Sequence, residues 1–168
     1  MTSKETLQLL SKNLPLTNLH IVELVIDGGT IWNNEIQITD CSIDNINCLC
    51  VMFEKPVILK NSLLKNVSFN FSYFKKGLTI ENCIFYNYVD FEAGGHNELG
   101  NLITIINNEF RGFVNFNDCW FTGEVNVSNN IFLKGSNIAS KDQYLTFDLS
   151  PIIENNIGFT NIESDCRQ

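Results

Sequence analysis

The chain has 168 residues, 44 % of them apolar, and a formal charge of −8. That is enough for one domain with a real core and too apolar for a disordered chain. The acidic balance argues against nucleic acid, whose phosphates want Lys and Arg, and no run approaches the roughly 18 apolar residues of a membrane span.

The first residues, Met1-Thr2-Ser3-Lys4-Glu5, show no charged-then-apolar signal pattern, so a cytoplasmic location is expected. Thr2-x-x-Glu5 reads as a capping box for a helix over 3–12 carrying Leu7 and Leu10. Residues 1–13 are thus a helical cap. From residue 14 a repeat takes over. Leu78-Thr-Ile-Glu-Asn-Cys-Ile-Phe85, Ile103-Thr-Ile-Ile-Asn-Asn-Glu-Phe110, Val114-Asn-Phe-Asn-Asp-Cys-Trp-Phe121 and Val125-Asn-Val-Ser-Asn-Asn-Ile-Phe132 share one eight-residue pattern. Its first, third and eighth positions are apolar, the fifth is Asn or Asp, and the sixth is small. Extended both ways, the units start at 14, 25, 36, 46, 57, 67, 78, 89, 103, 114, 125 and 136. Such period-two units are too short for helices and bury their apolar side only by stacking. The expectation is an all-β chain: a right-handed parallel β-helix of about six coils over 14–143.

Alternate units differ. The odd ones carry Asn18, Asp40, Asn61, Asn82, Asn107 and Asn129 at the fifth position, and the even ones follow no such rule. Asn tolerates a left-handed corner, and amides stacked about 4.8 Å apart can bond along the column, so this ladder reads as structural. The inward columns run Leu16, Ile38, Leu59, Ile80, Ile105, Val127 and Ile21, Ile43, Leu64, Phe85, Phe110, Phe132 in odd units. In even units they include Phe69, Phe91, Phe116 and Trp32, Phe53, Phe74, Phe121. Cys41, Ser62, Ser72, Cys83 and Cys119 fill sixth positions as small groups beside large ones. The pattern fades after 136, and residues 144–168 read as an irregular cap and tail, which leaves a single domain over 1–168.

The six cysteines are read as reduced, buried thiols, and Cys48-x-Cys50 lacks the second pair a metal site needs. Neither a metal nor a cofactor is expected.

Pairs such as Cys83-x-Phe85, Cys119-x-Phe121, Asn130-x-Phe132, Val114-x-Phe116 and Val125-x-Val127 resemble the pentapeptide-repeat proteins, whose tandem fives place a small residue two before Leu or Phe. The resemblance covers about residues 36–138. It implies a quadrilateral right-handed β-helix. It also implies little chemistry, although some members mimic DNA and bind type II topoisomerases as acidic rods. Here steps alternate between five and six, and the outward acids, Glu35, Asp44, Glu54, Glu81, Asp90, Glu92, Glu109 and Glu124 among them, do not line up.

Two places could carry function. The loop Asp90-Phe-Glu92-Ala-Gly-Gly-His96-Asn-Glu98 is the one internal insertion. Glu92, His96 and Glu98 could do acid–base work there or hold a metal, or the loop could be a solvated bulge. The second is a surface. The seventh positions should point outward, which displays Met52, Tyr73 and Trp120 from even units and Ile84 and Ile131 from odd ones. An apolar stripe marks a partner or dimer interface unless the terminal segments cover it. The expected function is a non-enzymatic interaction or scaffold protein that binds another protein or a second copy through a rigid β-helix face. A bacterial toxin-neutralising immunity protein is one form of this. The alternatives are a topoisomerase-binding DNA mimic and an enzyme centred on the 90–98 loop.

Overall fold

The computed structural model describes residues 1–26, 28–141 and 144–163. Asp142 and Gln143, at the seventh and eighth positions of the unit that starts at 136, and the sixth cysteine, Cys166, lie outside them. The chain is an all-β right-handed parallel β-helix of about six turns with one short helix, Ser3–Leu10, at its N-terminus.

The register follows the repeat. Leu16 pairs with Ile38, Ile38 with Leu59, Leu59 with Ile80, Ile80 with Ile105, and Ile105 with Val127. Each of these is buried, and residues between them face outward, as a period of two requires. A second face carries Ile21, Ile43, Leu64, Phe85, Phe110 and Phe132. A third carries Phe53, Phe74 and Phe121. Identical rungs stack ring on ring: Phe85, Phe110 and Phe132 at 4.7 and 5.1 Å, Phe91 on Phe116 at 4.9 Å, and Phe53 on Phe74 at 5.2 Å. Trp32 is only partly buried, and its indole N–H is enclosed without a partner.

All six Asn/Asp fifth positions have positive φ, between 49° and 58°. The same conformation recurs at five of the six even corners, Gly29, Cys50, Phe71, Ala93 and Asp118, and not at Ser140. The two halves of a coil are therefore equivalent in backbone and unequal in sequence, and side chains such as Phe71 accept the left-handed strain because packing on both sides fixes the corner. The amide ladder is displaced from where it was expected. The fifth-position side chains are exposed, with a single rung-to-rung bond from Asn82 Nδ2 to Asn61 Oδ1 (3.3 Å). The continuous ladder runs one residue later, inside. Asn108 Nδ2 donates to Asn130 Oδ1 and Asn130 Nδ2 to Asn156 Oδ1, both at 3.0 Å. The same oxygens accept the backbone N–H of Asn108 and Asn130, and the same amides donate to the carbonyls of Ile80 and Ile105. Ser62 does the smaller version of this job: its hydroxyl accepts from Cys41 N–H and donates to Lys60 O. The sixth position is thus small and polar, since it must satisfy corner backbone groups that strand pairing leaves over.

Both ends depart from bare edges. Thr2 and Glu5 form the capping box, and the helix buries Thr6 and Leu10 against the first coil. Residues 144–163, expected to be irregular, extend the solenoid instead. Thr146–Phe147 pairs with Trp120–Phe121, and Ile152–Glu154 pairs with Asn126–Ser128. Pro151-Ile-Ile-Glu-Asn-Asn-Ile157 is a further odd unit, with Asn155 at φ 55° and Asn156 on the inner ladder. Pro151 in place of an apolar first residue hides it from the pattern.

Candidate functional site

The third face is the place where the repeat both displays aromatics and breaks. Its outward column reads Ile31, Met52, Tyr73, then Gly95, Trp120 and Thr146, each paired with the next. Gly95 is needed there. A Cβ on it would sit 2.7 Å from Trp120 O, and its φ is +97°. Next to it His96 takes φ 53°, so that its ring leaves the inward column and lies among the outward rings. It stands 4.1 Å from Tyr73 and 5.9 Å from Trp120, centroid to centroid. Behind it, on the coil between inward Phe74 and Phe121, is a small apolar void lined by Phe74, Phe91, Phe116, Phe121 and Gly95. Asn97 turns back inside and is fully buried, with its amide donating to Asn101 O and Glu124 O.

The expected catalytic group is not assembled. Glu98 is ion-paired to Lys76 at 2.6 Å, which holds its carboxyl below the usual range. Glu92 lies toward Asn117, whose amide donates to it at 3.5 Å. Burial, then the charge of Lys75, lowers the pKa of His96, and no carboxylate offsets this. Among the described residues no group of three or more His, Cys, Asp or Glu could hold a metal ion. The buried thiols are poor nucleophiles: burial pushes Cys48 up to about 12 and Cys83 up to about 11, and it raises Cys119 as well. The five described cysteines are free. Cys50 is exposed, against the expectation of a buried thiol.

The expected binding residues divide between two faces. Met52 and Tyr73 are half-buried and Trp120 is 49 % exposed on the third face. Ile84 and Ile131 are half-buried on the second, separated by Glu109, which Arg111 pairs at 2.6 Å. They form no joint stripe. Among the described residues, neither terminal segment covers the aromatic column. The helix packs against Leu16–Thr17 and Leu24–Ile26 at the end of the solenoid. The C-terminal turn adds the next rung, with Thr146 paired to Trp120, and Asp148 accepts the Trp120 indole N–H at 3.0 Å. Lys75 lies 5.8 Å from the centre of the Tyr73 ring. The outward acids are broken up by cations, Lys60 on Glu81 at 2.7 Å and Lys65 on Asp44 at 2.6 Å. Sequence reasoning missed His96 as part of this surface, because it assigned the residue to a loop. The two consecutive glycines before it were the available signal for a reversed backbone.

No described helix is long and apolar enough to cross a membrane. The chain matches no protein-family model, no curated protein and no solved structure.

Proposed function

We propose that the chain is a non-enzymatic binding protein in the cytoplasm and that the Tyr73–His96–Trp120 column is its recognition surface for another protein. The observation that supports this reading is the turned-out imidazole. A left-handed histidine with an apolar void behind it costs stability, of order 1–3 kcal/mol for the backbone alone. The fold offsets that cost, so a use for the displayed ring is the economical account. Trp and Tyr on a rigid sheet lose little entropy on contact and are the residue types that dominate interface energetics. The scattered and paired carboxylates favour this over a DNA mimic. A place among divergent relatives of the pentapeptide-repeat proteins is part of the same proposal, supported by the left-handed corners at the fifth position of every odd unit and of most even ones.

The test is affinity capture from the source cells with wild-type, Trp120→Ala and Ile131→Lys proteins, followed by measurement of the purified partner's affinity. The expected result is a protein retained by wild type and by Ile131→Lys but bound at least tenfold more weakly by Trp120→Ala. Retention that Trp120→Ala leaves unchanged removes this surface. A turnover abolished by His96→Ala in a folded protein would favour the enzyme reading instead.

A further inference from the structure

A groove on the second face, away from the aromatic column, carries a separate inference. Coils two and three pass through one corner as unbroken strands, Ser42–Cys48 and Leu63–Ser68. Between the paired rungs Leu64/Phe85 and Val67/Val89, coil three holds two residues and coil four holds three. Coil five repeats the longer corner, with Phe85 paired to Phe110 and Val89 to Val114. The extra residue makes a step, and the step is edged by Tyr88, whose ring stacks toward Phe113 at 6.1 Å. Against this ledge lies a cleft of about 310 Å³. Its lining is Asn45, Asn47, Asn66, Ser68, Tyr88 and Asp90 over a floor of Ile46 and Val67.

The chemistry of this lining narrows the ligand. Asp90 is already engaged: Oδ1 accepts from Asn115 Nδ2 and Glu92 N–H, and Oδ2 accepts from Asn70 Nδ2. That leaves little for a cation. Lys65, the nearest base in sequence, is ion-paired to Asp44 at 2.6 Å, so an anion finds no free counter-charge there. What remains is neutral and two-sided. A carboxamide both donates and accepts, as does a hydroxyl, and the side chains of Asn47 and Ser68 have no partner among the described residues. Rungs repeat about every 4.8 Å, close to the width of a six-membered sugar ring. Tyr88 adds an aromatic wall for the apolar C–H face of such a ring. The volume is at the lower end of the range for small-ligand sites.

We propose that this groove binds a neutral saccharide, one or two sugar units of an oligosaccharide, through Asn47 and Ser68 with Tyr88 as the stacking wall, while Asn66, whose amide donates to Asp44 O and whose Oδ1 accepts from Asn87 Nδ2, shapes the rim. The experiment is a titration of the ¹⁵N-labelled full chain with cellohexaose, maltohexaose and N-acetylchitohexaose, following the side-chain amide signals of Asn45, Asn47 and Asn66. The expected result is a saturable shift of these signals with at least one sugar, weakened tenfold or more by Tyr88→Ala and by Asn47→Ala and unaffected by Trp120→Ala. Asn47 is exposed, so its variant keeps the fold if Tyr88→Ala does not. The proposal is overturned by the absence of any saturable shift up to the solubility of all three sugars, or by a shift that survives both groove variants.

Discussion

Neighbouring asparagines in this chain do different work. Asn129 is an exposed corner at φ 57°, and Asn130 is buried with every polar atom engaged. The first is chosen for backbone tolerance. Asn129→Ala should cost about 1 kcal/mol from left-handed strain, while Asn129→Gly should be close to neutral. Asn130→Ala strips partners from Asn108 N–H and Ile105 O inside the core, and each orphan costs about 1–3 kcal/mol. Urea midpoints of the three variants, compared at equal m-value, order them. If Asn129→Ala proved the more damaging change, the inner ladder would not be the stabilising one. The sequence made the fifth-position column plain because every odd corner has Asn or Asp. It concealed the sixth because Cys, Ser and Asn serve there by turns, and only the closed hydrogen-bond pattern shows that they share a task.

At the scale of elements, the N-terminal helix was legible from one motif, because capping is local chemistry. Glu5 accepts from the Thr2 backbone N–H at 2.9 Å and the Thr2 hydroxyl at 3.0 Å, in that order of effect, and its pKa falls below the ordinary 4.5. A carboxyl with a depressed folded-state pKa adds stability above its ordinary value, and that stability is lost as the pH drops through the depressed value. Thr2→Ala should therefore lower stability by about 1 kcal/mol at neutral pH. Thermal melts at a series of pH values should show part of this gap closing in acid, as Glu5 is neutralised in both proteins. A gap independent of pH would mean the box is not formed. The insertion in the 90–98 loop was visible as a break in spacing. The direction of the His96 ring was not, since it depends on which of two consecutive residues takes the outward rung beside Tyr73 and Trp120.

Over the whole molecule, the core is a set of one-dimensional stacks, and stability should follow position along them. Phe110 lies between Phe85 and Phe132, and Phe110→Ala should cost about 3–5 kcal/mol, because a cavity in a stack has neighbours above and below that cannot both close on it. Hydrogen exchange should be slowest at Ile80 and Ile105, paired on both sides, and faster at Ile152–Glu154, where pairing among the described residues is on one side only. Equal protection across all rungs would contradict a nearest-neighbour solenoid.

The sequence by itself determined the β-helix, its inward columns and the left-handed corners of the odd units. Each of these is a local preference repeated every ten or eleven residues, so that repetition amplifies a weak signal. Tertiary structure alone decided the inner asparagine ladder, the last turn hidden behind Pro151, the separation of the Ile84–Ile131 and Tyr73–Trp120 columns onto different faces, and the outward turn of His96. Those depend on contacts between residues more than twenty positions apart, where stacking fixes which side chain meets which and no single unit of the repeat carries the information.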